Sequence, residues 1–219
     1  MTSGSRETSL GTADRALDVA ERLVQIRGFN GVSYADIADE LELTKASLHY
    51  HFPSKGELGH ALISRYSARF AAALAAIDRD VSQPRAKLDA YVEIYSGVLR
   101  GDRMCLCGML AAEYETLPEP MGDAVVTFFR DNETWLGEVV SQGQADGSLS
   151  PRLTPGEASQ MILSGLEGAM LLARTYGGIT RFQSSAQRLL EALWSHPSDQ
   201  YPGRHRHDPN HPPPRPSAG

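Results

Sequence analysis

Hydrophobic residues recur at intervals of three and four along almost the whole sequence, and this spacing most constrains the fold. The first such stretch contains the stripe Ala13, Ala16, Leu17, Ala20, Leu23 and Val24. Residues at these intervals line one face of an α-helix, whereas a half-buried β-strand alternates hydrophobic and polar residues. We find no convincing alternating segment in the 219 residues. The pattern therefore predicts an all-α protein.

Helix starts and stops divide the first 60 residues into short segments. A first helix begins at Thr12 or Asp14 and ends at Gly28. Capping-box spacing, a hydroxyl residue three positions before an acidic one, occurs at Ser33 and Asp36, Ser54 and Glu57, and Thr154 and Glu157. Thr44 caps a further short helix that Pro53 closes. Two short helices joined by a tight turn therefore follow the first helix.

Longer helices are expected over 55–77, 84–99, 104–115, 120–145, 155–176 and 184–194. Seven of the 13 prolines fall in 197–219, where hydrophobic periodicity is absent. We therefore expect a flexible N-terminus at 1–11, a helix-turn-helix domain at 12–60, a larger helical domain at 61–196, and a disordered tail rich in proline and histidine at 197–219.

The composition narrows the class of protein. The formal net charge of −6 argues against binding nucleic acid through bulk charge. Charged residues, glycine or serine interrupt each apolar run before about 18 residues, so we expect no membrane helix and a cytoplasmic protein. The two cysteines are too few for a disulfide framework. We expect no cofactor and no metal, because His205, His207 and His211 lie in the tail without a frame rich in carboxylates or cysteines.

The second short helix and its flanks are rich in hydrogen-bond donors. The donors are Thr44, Lys45, Ser47, His49, Tyr50, His51 and Lys55. In a helix-turn-helix the second helix lies in the major groove, where its first residues reach base edges. Phosphates and base edges need such donors. We interpret this segment as a DNA-recognition helix, with core positions as the alternative for Tyr50 and His51.

The runs at 29–33 (FNGVS), 37–38 (IA) and 43–55 (LTKASLHYHFPSK) resemble the N-terminal signature of TetR-type bacterial transcriptional regulators. The resemblance implies a three-helix DNA-binding domain followed by an all-α domain for ligand binding and dimerisation. It also implies a homodimer that represses transcription from a palindromic operator on double-stranded DNA. A small-molecule effector, whose identity the resemblance leaves open, would release the operator.

The resemblance also assigns roles within the DNA-binding segment. It implies that bases are contacted by Lys45, Ala46 and His49. Phosphates are contacted by Ser33, Thr44, Tyr50, His51 and Lys55, and Ser47 serves either role. Many relatives carry tyrosine where this chain has His49, so the resemblance does not give the base preference at this position. Because histidine can be partly protonated near neutral pH, we expect DNA binding to depend on pH.

The charge of the N-terminal segment bears on the strength of DNA binding. Residues 1–60 contain six Lys or Arg and nine Asp or Glu, a net charge of −3. Few phosphates can be neutralised by so few cations. We therefore expect modest affinity for each half-site, reliance on a dimer, and a shallow dependence on salt.

The larger domain contains candidates for an effector pocket, which requires apolar walls and a few polar groups. The candidates are Tyr91, Tyr95, Cys105, Met109, Phe128, Phe129, Trp135 and Met161. The alternative for each is a plain core position. Glu113 and Glu115 are candidates for recognising a cationic or hydroxylated effector, with solvated surface acids as the alternative.

The helix over 155–176 is apolar on nearly all sides, so both of its faces must be buried. Small residues four positions apart allow another helix to approach closely. Together with the last helix, and following the resemblance, we expect a dimer interface formed by Gly165, Ala169, Ala173, Leu189, Leu190 and Leu193. The alternative is an internal core without a partner.

Cys105 lies near a predicted helix N-terminus, with Arg100 and Arg103 close in sequence, and such surroundings lower a thiol pKa. We hypothesise that Cys105 senses oxidants or electrophiles, and the alternative is a small buried hydrophobic residue. A cysteine-dependent enzyme is a different class of function. We do not expect an enzyme or catalytic residues, because the histidines lie near the DNA-binding segment or from His196 onward.

Overall fold

The computed structural model describes residues 11–194, and over this range the expected all-α fold is confirmed. The helices are α1 (Thr12–Arg27), α2 (Tyr34–Leu41), α3 (Lys45–His51), α4 (Lys55–Asp80), α5 (Pro84–Arg100), α6 (Leu106–Ala111), α7 (Glu119–Ala145), α8 (Pro155–Tyr176) and α9 (Ile179–Glu191). The predicted tail at 197–219 and most of the predicted N-terminal segment lie outside the described residues.

The side-chain caps predicted from the sequence are present at the starts of α2, α3, α4 and α8. The capping boxes that begin α2, α4 and α8 are all formed. At α2, the Ser33 N–H donates to Asp36 Oδ2 at 2.8 Å. At α3, the Ser47 N–H donates to Thr44 Oγ1 at 3.2 Å. These bonds satisfy amide groups that have no partner in the first turn of a helix.

The helix expected over 104–115 is wrong in extent. It is replaced by α6 and a short 3₁₀ turn at Tyr114–Thr116. The Met104 N–H donates to Gln25 O at 3.2 Å, and the Glu113 carboxylate accepts from backbone N–H groups of the α1–α2 loop. These distant partners compete with a continuous helix.

The start of α9 is also misplaced by the sequence pattern, which predicts 184 where the helix begins at Ile179. Phe182 is fully buried and continues the inward-facing row of Ala186 and Leu190. The early start therefore follows from packing against the larger domain.

The helix α4 joins the two parts of the molecule. Near its start, Leu62 lies beside Val24 and Ile37 in the core of α1–α3. Two turns further on, the Phe70 ring lies 6.0 Å from the Tyr91 ring, inside the larger domain. A single helix therefore contributes to both hydrophobic cores.

Candidate nucleic-acid interface

A tight turn sets the angle between α2 and α3. Glu42 occupies the left-handed region with φ of 55°, which ends α2 after Leu41. The Leu43 N–H donates to Ala38 O at 2.9 Å, and Thr44 then caps α3. The turn and cap together form the helix-turn-helix arrangement that the sequence predicts.

Two apolar residues hold α3 against the N-terminal core. Leu48 is 1% exposed and Phe52 is also buried. The Tyr34 hydroxyl donates to Phe52 O at 2.6 Å, which fixes the end of α3 to α2. With Leu48 facing inward, the opposite face of α3 is presented to solvent.

The exposed face of α3 carries most of the predicted DNA contacts. Lys45, Ala46, His49 and His51 are exposed, and Ser47 is half-buried. Tyr50 is 84% exposed. This exposure excludes the core alternative for Tyr50 and His51, and leaves their contact with DNA as a proposal.

His49 has a defined orientation on this face. Its Nδ1 lies 3.2 Å from Pro53 O, and its ring centroid lies 4.4 Å from that of Tyr34. A carbonyl oxygen only accepts, so Nδ1 carries the proton in this bond. The Nε2 of the neutral ring is then left as an acceptor.

Two other predicted phosphate contacts, Ser33 and Lys55, interact with side chains of the same chain. The Ser33 hydroxyl donates to Asp36 Oδ2 at 2.5 Å, within the cap of α2. The Lys55 ammonium lies 4.4 Å from the centre of the Phe29 ring. Burial lowers the pKa of Lys55, and the Glu113 and Asp36 carboxylates oppose this change. To contact phosphate, Lys55 must leave the ring.

Two long-range contacts that sequence reasoning missed join the DNA-binding helices to the larger domain. The Glu113 carboxylate accepts from the N–H groups of Phe29 at 2.6 Å and Asn30 at 3.2 Å. The Arg174 guanidinium donates to Gln25 O at 3.0 Å and Ile26 O at 2.6 Å. These oxygens belong to the last turn of α1.

Gly28 is the only sequence signal for the Glu113 contact. Its φ of 80° suits glycine, and a Cβ there would lie 2.6 Å from Glu113 Oε1. Glu113 therefore supports the α1–α2 loop, and its role in effector recognition stays a prediction. Glu115 is exposed, as its alternative reading predicts.

The structure brings together four predicted effector-pocket residues: Tyr91, Tyr95, Phe128 and Trp135. The Tyr91 ring stacks on Trp135 with a centroid distance of 5.5 Å. The Tyr91 hydroxyl donates to Asn132 Oδ1 at 2.9 Å. Three further candidates, Met109, Phe129 and Met161, are half-buried against the same core. Whether these residues contact an effector remains a prediction.

The lowered pKa predicted for Cys105 is wrong. Cys105 is 2% exposed, and its burial raises the pKa of the thiol, with the Glu167 carboxylate acting in the same direction. Arg100 pairs instead with Glu93, and Arg103 reaches the Gln25 side chain. Cys105 is therefore a small buried residue, and the sensor and enzyme alternatives lose the reactive thiolate on which they depend.

Glu167 is a buried acid that sequence reasoning missed. Its Oε1 is inaccessible and has no hydrogen-bond partner among the described residues, although the residue as a whole is half-buried. Burial raises the pKa of Glu167 to about 7, and hydrogen bonds from Cys105 and Tyr95 partly oppose this. Gly108 makes room for the carboxylate, which a Cβ there would overlap. An acidic residue within an otherwise apolar helix was the available signal.

Most residues predicted for the dimer interface pack against other residues of the same chain. Ala173, Leu190 and Leu193 are buried. A Cβ on Gly165 would lie 2.6 Å from Leu189 Cδ2 of the same chain, so this glycine permits α8 to approach α9. The prediction that these residues face a partner is wrong for the buried three, because the larger domain already covers them. Ala169 and Leu189 are half-buried and stay predictions.

The described residues were also compared with the requirements for a membrane helix and for a metal site. None of the helices between residues 11 and 194 combines the length and the apolar composition of a membrane span. Within the same range, no three His, Cys, Asp or Glu residues come together as metal ligands. His205, His207 and His211 lie outside the described residues.

Comparisons with known proteins agree with this arrangement. Residues 16–62 match the family described as bacterial regulatory proteins, tetR family, and residues 84–189 match the tetracyclin repressor-like, C-terminal domain. The chain therefore belongs to the TetR family and is a DNA-binding transcriptional regulator.

Similar proteins have been described in several bacteria. The transcriptional regulator AcuR of Cereibacter sphaeroides is 30% identical over 156 residues, covering 68% of this chain and 69% of that protein. The HTH-type transcriptional repressor DhaR of a Mycobacterium species is 27% identical over 150 residues, 66% of this chain and 73% of that protein. A crystal structure of a TetR-family transcriptional regulator from Agrobacterium tumefaciens has 33% identity and a TM-score of 0.81, covering 84% of this chain and 97% of that chain.

Proposed function

We propose that this regulator is a homodimeric repressor that binds a palindromic operator through α3 and leaves it when a small molecule binds in the larger domain. The observation that carries the proposal is the outward row of donors on α3, held in place by the buried Leu48. A chromosomal operator also implies that the protein acts in the cytoplasm.

The roles of individual α3 residues follow from their exposure and chemistry. Lys45 and His49 lie on the exposed face and suit base edges in the major groove. The Tyr50 hydroxyl and the His51 ring suit phosphate oxygens. Ala46 leaves room for close approach to the bases.

Dimerisation is supported by exposed hydrophobic side chains on α8. Leu171 is 59% exposed, Leu172 is 49% exposed and Tyr176 is 68% exposed. A second copy of the chain that packs α8 against its own α8 would remove these side chains from water. Two recognition helices would then read two half-sites.

The dimer proposal is tested by analytical ultracentrifugation of the full chain. We expect a dimer for the unchanged protein and a monomer for Leu171→Glu combined with Leu172→Glu. The matched control is Val126→Glu, which charges an exposed apolar residue on α7 and should leave the dimer intact. A monomer for the unchanged protein at micromolar concentration contradicts the proposal.

The effector region is proposed to lie around the aromatic core of the larger domain. Tyr91, Tyr95 and Trp135 provide apolar walls, and the Glu167 carboxyl group provides a polar handle. An unpartnered carboxylate oxygen favours a ligand that carries a hydrogen-bond donor or a positive charge. Binding that favours a different spacing of the recognition helices would release the operator.

Operator binding is tested by selecting bound DNA from a random-duplex pool with the purified full chain. We expect enrichment of a palindrome, and loss of that enrichment for Lys45→Ala combined with Tyr50→Ala. The control Arg130→Ala removes an exposed cation from α7 and should retain enrichment. Enrichment that survives the double substitution, or no enrichment by folded dimer, contradicts the proposal.

A further inference from the structure

A cleft of about 730 Å³ lies between the end of α5 with its following turn and the junction of α8 and α9. Three arginines line it, Arg100, Arg103 and Arg174, with Asp102 as the acidic residue of the lining. This concentration of positive charge stands out in a protein whose formal net charge is −6. The volume falls within the range of small-molecule sites.

Two of these arginines donate to neutral oxygens. Arg103 Nη1 lies 3.4 Å from Gln25 Oε1, and Arg174 donates to the carbonyl oxygens of Gln25 and Ile26. Arg100 pairs with Glu93, a residue outside the lining of the cleft. A guanidinium binds a carboxylate or phosphate more strongly than a neutral carbonyl, because both partners are charged and the fork matches two oxygens.

The cleft lies on the side of α8 away from two of the three side chains proposed to meet a second copy. At about 100° per residue, Arg174 points about 160° away from Leu172 and from Tyr176, and about 60° away from Leu171. The cleft therefore faces away from Leu172 and Tyr176, and Leu171 lies between it and the surface proposed to meet a second copy. The cleft is also separate from the aromatic core proposed for the effector.

We propose that this arginine cleft binds a small molecule bearing an oxyanion, either a carboxylate or a phosphate ester. Arg103 and Arg174 bind the oxyanion, and Arg100 adds positive charge at the rim. Gly177, with φ of 75° and open space around its Cβ position, keeps the wall of the cleft low at the α8–α9 junction.

Occupancy of the cleft is linked to the DNA-binding helices through Arg174. Its guanidinium holds the carbonyl oxygens of the last turn of α1, whose remaining partners include the Met104 N–H. An anion that draws Arg174 into the cleft releases part of this support. The linkage to operator affinity rests on the proposed function, whereas anion binding does not.

The site is tested by isothermal titration calorimetry of the full chain with inorganic phosphate and with acetate, at ionic strength held constant with sodium chloride. We expect saturable binding of at least one anion below about 20 mM. A preference for phosphate assigns a phosphate ester, and a preference for acetate assigns a carboxylate. No saturable binding of either anion would overturn the proposal.

Substitutions locate the binding within the cleft. Arg103→Gln combined with Arg174→Gln is expected to weaken anion binding by at least about tenfold. Arg130→Gln, on the exposed surface of α7, is the matched control and should change it by less than about twofold. Equal affinity in the double variant and the control would overturn the proposal.

A second variant guards against loss of folding, since Arg174 also supports α1. Arg100→Gln leaves the α1 contacts in place and is expected to weaken anion binding by about threefold. Hydrogen exchange of the amides near residues 28–30 provides an independent readout, and bound anion should accelerate it. If anion binding fails while operator selection succeeds, only the cleft proposal falls.

Discussion

Two tyrosines show how differently the two parts of this molecule use the same side chain. Tyr50 on α3 is 84% exposed, whereas Tyr91 in the larger domain is completely buried and bonded to Asn132. The first side chain contacts solvent, and the second bonds and packs within its own chain. The residue type therefore indicates the chemistry, and burial decides which partners that chemistry meets in this structure.

The largest contrast is expected in stability. Tyr91→Ala should lower the free energy of unfolding by about 3–5 kcal/mol, because it leaves a cavity and removes the donor to Asn132 Oδ1. Tyr50→Ala should change it by less than about 0.5 kcal/mol, since its side chain is exposed. Urea unfolding of both variants measures the difference. Similar losses in both would remove the contrast between the two regions.

The next effect concerns the buried acid of the larger domain. The pKa of Glu167 is raised to about 7 from 4.5, so the folded protein keeps a proton that the unfolded chain releases. The free energy of unfolding should therefore fall as pH rises from about 4.5 to about 7. Glu167→Gln should remove this fall and raise stability at about pH 8 by roughly 1–3 kcal/mol.

The pH series has its own control. Glu138→Gln neutralises an exposed acid on α7 and should leave the pH dependence of unfolding unchanged. A Glu167→Gln profile that still falls between pH values of about 4.5 and 7 would mean that another group carries the effect.

A smaller effect is expected on the DNA-binding surface. Tyr50→Phe keeps the ring but removes the hydroxyl, and should weaken operator binding by about threefold to tenfold, or roughly 1 kcal/mol. Fluorescence anisotropy with the selected operator measures this change. Tyr114→Phe, on an exposed turn of the larger domain, is the matched control and should have no effect.

The smallest effect concerns Lys55, which the structure holds over the Phe29 ring. If Lys55 stays there, Lys45 is the lysine that neutralises phosphate charge in each half-site. A dimer then has two such lysines, and the slope of log affinity against log salt concentration should be about −2. Lys55→Gln should then leave this slope unchanged. A slope near −4 that falls on substitution would mean that Lys55 moves onto a phosphate.

The N-terminal helices were predictable from sequence because their signals are local. Ser33 and Asp36 lie three residues apart, and the cap they form depends on no distant residue. The pattern of Leu48 facing inward among donors also follows from helix geometry alone. The DNA-binding segment and its recognition helix could therefore be identified before the structure.

For the larger domain, the sequence predicted the all-α class, but it did not predict the start of α9 or the surroundings of Cys105 and Glu167. Phe182 extends α9 by five residues because it finds a buried position that no local signal reports. Cys105 reads as reactive from its neighbours in sequence, yet those arginines point elsewhere and the thiol is buried. The raised pKa of Glu167 results from burial beside residues outside α8, such as Cys105 and Tyr95, which a local pattern does not report.

The sequence by itself determined the all-α class, the helix starts and the donor-rich face of α3, because these depend on residues within a few positions of one another. Only the tertiary structure decided that Glu113 supports the α1–α2 loop and that Arg174 holds the end of α1. The partners of these contacts lie 84 and 148 residues apart in the chain. Such pairs exist only once the helices pack, so no local pattern encodes them.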